Sequence, residues 1–374
     1  MNATPAAPPQ VLHCKRDAAA GAVYIGRPGP WGNPWHLTDA RDEAARAASV
    51  AHHRAWFLAQ PHLMRLARRT LRGRDLACWC APRPCHGDVL TQVANDGGPA
   101  EEPVFVFGSN TAGAHGRGAA LVALRHHGAL RGQGEGPQGQ AYAIPTKVWQ
   151  GGTLVTAPER TVREAIERFL AYVEAHPETL FQLTRVGCGL AGLDERTVVG
   201  WFEGGRRLPN LLWPGRWRRD AVTGRTPPRI IVAGSRGLDP RDPSIKAWFD
   251  AELAARLAPL IAAARERRAP PPVILSGGAE GADLMGEAWA VERGEATGVT
   301  FERHPAEWDR WGRAAGMIRN ARMAWEGTHL LAAWDGHSPG TRNMIETARD
   351  QGLRVAVITP PAVRPASNPA RAAR

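Results

Sequence analysis

Cys78, Cys80, Cys85 and His86 crowd into one stretch, LACWCAPRPCHGDVL from Leu76 to Leu90, which holds three of the chain's five cysteines. Three chemistries fit these residues. Thiolates and imidazole are the ligands zinc prefers, so the four could hold that ion, with Cys14 or His13 in reserve. The spacing C-x-C-x4-C-H is not a knuckle spacing, however, and alternate residues of a straight strand chelate one ion awkwardly. The second chemistry is catalytic. Cys85 and His86 fall at or just before the start of a helix, HGDVLTQVAN, where the dipole and free N–H groups stabilise a thiolate nucleophile or a bound anion. The third reading is structural, with small apolar cysteines filling a core beneath that helix. An odd cysteine count without secretory features argues against a disulfide framework.

A second set of residues suits phosphate. Two apolar runs of the middle region break into glycine loops: VFVFGSNTAGAHGRGAA supplies Gly108, Ser109, Asn110 and Gly113, and LFQLTRVGCGLAGLD supplies Gly187, Gly189 and Gly192. Glycine N–H groups at a strand end can approach diphosphate oxygens without side-chain obstruction. Asn110, His115 and Lys147 are the polar candidates beside them, with Glu135 and Asp194 as carboxylates. His115 reads equally well as a loop histidine facing water, and Cys188 as a thiol packed beneath the second loop.

The same logic recurs later in the chain. RIIVAGSRGL carries Gly234, Ser235 and Arg236, and PPVILSGGAEGADLMGEAWAVERG carries Gly277, Gly278, Gly281 and Asp283 between a strand and a helix. Asp283 caps that helix or contacts a ribose. Arg313, Arg319 and Asn320 lie on a helical stretch placed to lean over these loops, and Gly340 and Thr341 start a further helix. In the segment GRPGPWGNPWHL, Trp31, Asn33 and Trp35 offer ring faces and an amide suited to a base.

The elements that must hold these groups follow from periodicity and punctuation. VLHC, AVYIGR and DLACWC read as extended segments, with one long helical region from about 41 to 71 between them. On the strand, Cys78 and Cys80 would share one face with Trp79 opposite. NDGGPAEEP and PGRWRRDAVTGRTPP, rich in glycine and proline, separate three domains at 10–96, 103–213 and 228–359. The tail over 360–374 has too little apolar surface to fold. The expected fold class is therefore α/β in three domains, with parallel strands opening the second and third.

Composition narrows the function classes. A chain of 374 residues with 43% hydrophobic residues is a folded multidomain protein. Its lack of a long apolar run or signal peptide predicts a cytoplasmic protein with no membrane partner. The net charge of +11 invites nucleic acid as a partner. Arginine supplies nearly all of it, and Arg65 to Arg74 and Arg206 to Arg219 are the densest clusters. Phosphates of a small nucleotide would satisfy them equally.

Three resemblances add to this reading. VLHCKRD, AVYIGR, PWGNP and CWCAPRPCHGD together resemble an uncharacterised conserved domain of bacterial and phage proteins, which implies no activity. The middle region resembles the macro domain, an ADP-ribose-binding α/β module. That resemblance implies a ribose role for Asn110 and a diphosphate role for Gly187 to Gly192, although the early aspartate-containing strand of the family is missing. GSR, GGAEGAD, RNARM and SPGTRNMI resemble the SLOG superfamily, in its YspA-like branch. It implies a Rossmann-like fold that binds or processes nucleotides and their ribosyl derivatives. The PGGxGTxxE motif of that superfamily's phosphoribohydrolases is only loosely echoed, with Glu287 one helical turn beyond the glutamate position.

Taken together, the expected ligand is a nucleotide or ADP-ribose derivative, and the expected activity is hydrolysis or transfer at its ribosyl or phosphoribosyl group. Asn110, Cys85 and His86 are the catalytic candidates. The alternatives are a non-catalytic nucleotide sensor acting in phage conflict or stress and a nucleic-acid-binding protein; a homo-oligomer fits each of them. Zinc is the one cofactor the residues suggest, at Cys78, Cys80, Cys85 and His86.

Overall fold

The computed structural model describes residues 8–17, 21–27, 29–217 and 227–361. The expected tail lies outside the described residues but for its first two positions, and so does most of the linker expected at Pro214 to Pro228. The described residues fall into two compact units, one within 1–226 together with 302–304 and one within 227–301 and 305–374. The first unit carries two parallel-rich sheets, the second unit a third, and the chain is mixed α/β throughout. Among the described residues no helix is long and apolar enough to cross a membrane.

The first sheet is built from β1 (Val11–His13), β2 (Val23–Tyr24) and β3 (Leu76–Cys78), with α1 (Glu43–Leu58), α2 (Pro61–Thr70) and α3 (His86–Ala94) packed on it. The order is β1-β3-β2 with both pairings parallel, so β3 is central and buried. The expected single helical region is two helices. Pro61 cannot donate a backbone hydrogen bond and disfavours helical geometry at Gln60, so α1 ends and α2 begins with the proline in its first turn. Phe57, Leu63, Leu76 and Leu90 form the core beneath them.

A second correction concerns the sulfur-rich stretch. β3 stops at Cys78; Trp79 and Cys80 lie in a bend, followed by a cis Ala81–Pro82 bond and a turn into α3. Cys80 is therefore not held to the alternation of a strand.

The second sheet follows from β4 (Val104–Asn110), α4 (Gly118–His126), β5 (Gly136–Gln138), β6 (Ala141–Gln150), β7 (Thr153–Thr156), α5 (Glu159–Ala175), β8 (Phe181–Leu183), α6 (Glu195–Trp201) and β9 (Leu211–Leu212). Its order is β5-β6-β4-β8-β9, with β7 antiparallel to β6. β4 pairs in parallel with β6 and β8, which is why its run VFVF is apolar on both faces. α5 packs Val162, Ile166, Phe169 and Val173 against this sheet at helical spacing.

The third sheet and its helices comprise β10 (Arg229–Gly234), α7 (Pro243–Glu266), β11 (Val273–Ser276), α8 (Ala282–Thr297), β12 (Thr300–Arg303), α9 (Ala315–Glu326), β13 (His329–Ala333), α10 (Pro339–Asp350) and β14 (Arg354–Ile358). The strand order β12-β11-β10-β13-β14 places the first strand of the unit at the centre. β10 runs parallel to both β11 and β13. In such a sheet the chain winds one way from β10 and then the other, which opens a crevice at the ends of β10 and β13.

Candidate functional site

The end of β3 and the start of α3 bring three donor groups together. The Sγ atoms of Cys78 and Cys85 and a ring nitrogen of His86 all lie within 4.8 Å of one another, and all three residues are buried. Cys85 is the N-cap of α3: its Sγ accepts from the Gly87 N–H at 3.3 Å, and the Asp88 carboxylate accepts from the Cys85 N–H at 2.9 Å. This capping box fixes the thiol at the positive end of the helix. The His86 Nε2–H donates to the Ile25 carbonyl at 3.0 Å, which leaves Nδ1 bare and facing Cys85 Sγ at 3.6 Å. Burial keeps that ring neutral by lowering its pKa. A carbonyl that orients the far nitrogen of an imidazole is the usual outer partner of a ligating histidine. Cys78, Cys85 and His86 thus form a buried group able to hold a metal.

Cys80 completes the sulfur set from outside. Hydrogen bonds from the Cys78 and Cys85 thiols hold its pKa well below the ordinary value. The interaction with Cys80 pushes Cys78 up, and those with Cys78 and then Cys80 push Cys85 up. Cys85 is 1% exposed, which denies it the approach a nucleophile needs. Asn110 closes β4 of the second sheet, whereas Cys85 and His86 stand at the start of α3 on the first.

A pocket of about 100 Å³ lies against this cluster, lined among others by Arg27, Asn33, Trp35, Arg46, Trp79 and Cys80 together with Cys78 and His86. The two motifs GRPGPWGNPWHL and CWCAPRPCHGD therefore meet at one concavity. Trp35 and Trp79 line it, the Trp79 ring carrying Lys15 Nζ 4.9 Å from its centroid, whereas Trp31 is buried in the core. The Asn33 amide is committed to the loop itself: Nδ2 donates to Ser49 Oγ at 3.0 Å and Oδ1 accepts from the Trp35 N–H at 2.9 Å. Arg27 reaches across to the Asn33 carbonyl at 2.6 Å, and burial lowers its pKa. Arg27 and Arg46 were not legible as pocket residues, because the first stands before a loop and the second is one of several arginines on an amphipathic helix.

In the second sheet the two glycine loops do converge. A Cβ on Gly108 would stand 3.3 Å from the Gly187 N, so the end of β4 and the loop after β8 are in close approach. Lys147 Nζ donates to the Leu190 carbonyl at 3.1 Å and Thr156 Oγ1 to the Ala191 carbonyl at 2.6 Å, tying the Gly187 to Gly192 loop to β6 and β7. Asn110 Oδ1 accepts from the Ala114 N–H at 3.2 Å. His115 does not face water: it is buried, packs edge-on against Phe107 at 5.2 Å and pairs Nε2 with the Gln133 carbonyl at 3.0 Å. Cys188 packs against the core, and burial pushes its thiol up to about 12. Ser109 lies buried on β4, and Gly113, Gly189 and Gly192 shape the loops on either side.

In the second unit the glycine loop after β11 is satisfied from within. Asp283 Oδ2 accepts from the Gly277 N–H at 3.0 Å and the Ala279 N–H at 3.4 Å, and Ser276 Oγ accepts from the Gly278 N–H at 3.0 Å. The expected cradle of free amides at these positions is thus filled by the protein's own acceptors. What the loop does present is a cation. Arg319 lies so close over Gly277 that a Cβ there would meet its Nη1 at 1.2 Å. That Nη1 is shielded from solvent, makes no hydrogen bond and stands 3.7 Å from Asp283 Oδ2. Arg319 Nε donates to Asn320 Oδ1 at 3.0 Å, and Asn320 Nδ2 donates to the Gly340 carbonyl at 3.2 Å, beside Thr341 at the start of α10. Burial raises Asp283 to about 6. Gly234 is confined by the Ala333 carbonyl, 2.5 Å from where its Cβ would be, and Ser235 accepts from the Asp335 N–H at 3.1 Å. Gly281, with a positive φ, and Arg236 follow at the crevice between β10 and α8.

The arginine clusters are engaged internally. Arg68 forms a two-pronged pair with Asp96 at 2.8 and 2.7 Å, and Arg72 donates to the Ala94 and Gly98 carbonyls. Arg207 pairs with Glu174, and Arg206 stacks on Trp213. Arg218 and Arg219 lie outside the described residues.

Residues 12–96 match the model of a domain of unknown function, DUF4326. Over 85 residues the chain is 39% identical to the Gene 61 protein of Mycobacterium phage D29, an alignment covering 22% of this chain and 68% of the phage protein. No solved structure matches the chain. The matched span contains the first sheet but for Val11, the thiol–histidine group and the pocket before it, so through its N-terminal region this chain belongs to the DUF4326 family.

Proposed function

We propose that the protein binds and processes nucleotides or ADP-ribose derivatives at two separate phosphate sites, one at Arg319 of the second unit and one at the Gly187 to Gly192 loop of the second sheet. The observation that carries this is the Arg319 guanidinium. A shielded cationic donor without a hydrogen bond is costly unless an anion completes it. It sits over the glycine loop after β11, at the strand end where an α/β sheet takes its ligand. The macro-like and SLOG-like reading of the two regions agrees with that ligand class. The reaction in this proposal is hydrolysis or transfer at a ribosyl or phosphoribosyl bond, and Asn110 orients the ribose.

In the same proposal the N-terminal group carries zinc. Two ligands at the zinc–sulfur and zinc–nitrogen distances of a tetrahedron stand about 3.6 Å apart, and Cys85 Sγ and His86 Nδ1 are separated by 3.6 Å.

Calorimetric titration of the full chain with ADP-ribose, NAD and AMP, followed by chromatography of the products, tests the nucleotide reading. Binding of at least one ligand is expected, and Arg319→Ala should weaken it about tenfold to a hundredfold, the worth of one charged hydrogen bond. Equal affinity in the variant would remove the phosphate role of Arg319. Binding without a new product would favour a sensor over an enzyme.

A further inference from the structure

The four soft donors of the N-terminal region are not equivalent. Cys78, Cys85 and His86 are buried and mutually within 4.8 Å, and each is locked by the fold. Cys78 ends the central strand, Cys85 is held in the capping box, and His86 is aimed by the Ile25 carbonyl. Cys80 is different in every respect. It lies in the bend after β3, two residues beyond Cys78, is partly exposed and lines the same pocket as Cys78 and His86. Three fixed donors and one on a bend, facing a cavity, are what a metal centre with one exchangeable position requires, since catalytic zinc keeps three protein ligands and leaves the fourth for water or substrate.

We propose that Cys80 is the exchangeable fourth ligand of the metal held by Cys78, Cys85 and His86, and that the pocket lined by Arg27, Trp35, Arg46 and Trp79 receives a small anionic ligand whose donor atom takes its place. This inference rests on the zinc reading given above. In the exchange the metal–Sγ bond of Cys80 breaks and one bond to the incoming donor forms. The thiolate keeps its electron pair, and the metal is neither oxidised nor reduced. Arg27 and Arg46 balance the negative charge of the thiolates and of the ligand.

The test uses the full chain purified with zinc, its Cys80→Ser and Cys85→Ser variants, and azide as the anionic probe. One zinc per chain is expected by elemental analysis in the wild type and in Cys80→Ser, and loss of zinc in Cys85→Ser. With cobalt in place of zinc, azide should shift the visible bands of both forms. If Cys80 is off the metal about a tenth of the time, Cys80→Ser should respond at about tenfold lower azide. Iodoacetamide should alkylate Cys80 in the wild type without releasing zinc, a readout that needs no variant to fold. Zinc present in the wild type but lost on Cys80→Ser or on alkylation would make Cys80 a permanent ligand and overturn the exchange alone. Cobalt bands unmoved by azide would do the same. A wild type that neither retains zinc nor takes up cobalt would overturn the metal reading itself.

Discussion

At the scale of single residues, the most informative group is Asp283. It is buried to 4% exposure, accepts two loop N–H groups and stands 3.7 Å from Arg319, yet its carboxyl is raised to about 6. Desolvation is the leading cause and outweighs the pull of the arginine. The sign of the consequence follows directly. A carboxyl whose folded pKa lies above its unfolded value favours the folded state while protonated, and that contribution is lost as pH rises from about 4 through about 6. A rise from 3.8 to about 6 sets an upper limit of about 3 kcal/mol. Urea unfolding at a series of pH values should therefore show the wild type losing stability across this window relative to Asp283→Asn, which keeps an acceptor but does not titrate. Parallel curves for the two proteins would mean that Arg319 holds Asp283 ionised throughout. An added phosphate ligand would draw Arg319 from Asp283 and make the window more pronounced.

At the scale of elements, what was legible depended on whether local sequence alone decided the geometry. The apolar runs of β4 and β10 and the helix starts at His86 and Ala282 appear where the sequence puts them, because each is set by its own local pattern, with a capping box added at His86. The break at Pro61 was written in the sequence too, but helical spacing continued through it and hid the boundary. The length of β3 could not be read. Alternation through DLACWC fits a strand, and only the turn demanded by the Ala81–Pro82 segment and the seating of α3 ends it at Cys78. That difference matters, since it removes the objection that Cys78 and Cys80 chelate awkwardly from one strand face. The self-satisfaction of the Gly277 to Ala279 amides was equally hidden, because it depends on Asp283 folding back over the loop. The α3 cap gives the prediction at this scale. Asp88→Ala removes the acceptor for the Cys85 N–H and should cost about 1 kcal/mol in urea unfolding. Asp88→Asn should recover most of it. A silent Asp88→Ala would mean that the seat of Cys85 is set by core packing instead of by the cap.

At the scale of the whole molecule, the question is what a net charge of +11 does. Positive charge of this size attracts any polyanion, so weak DNA binding at low salt is expected of this chain whatever its function. Such attraction says nothing about a dedicated interface unless particular arginines carry it. The densest cluster does not present itself that way: Arg68 is spent on Asp96, and Arg72 on the Ala94 and Gly98 carbonyls, so their guanidinium groups brace the end of α3 and the segment leading into β4. Each phosphate neutralised by a protein cation steepens the salt dependence of log affinity by about 0.9. Anisotropy of a labelled duplex between about 50 and about 200 mM salt should give the same slope for the wild type and for Arg72→Ala. Arg68→Ala should lose stability, through the ion pair with Asp96, without flattening the slope. A slope shallower by about one in Arg72→Ala would show that this arginine leaves its carbonyls to grip a phosphate. The basic cluster would then be a nucleic-acid surface, and the small-nucleotide reading would have to share the molecule with it.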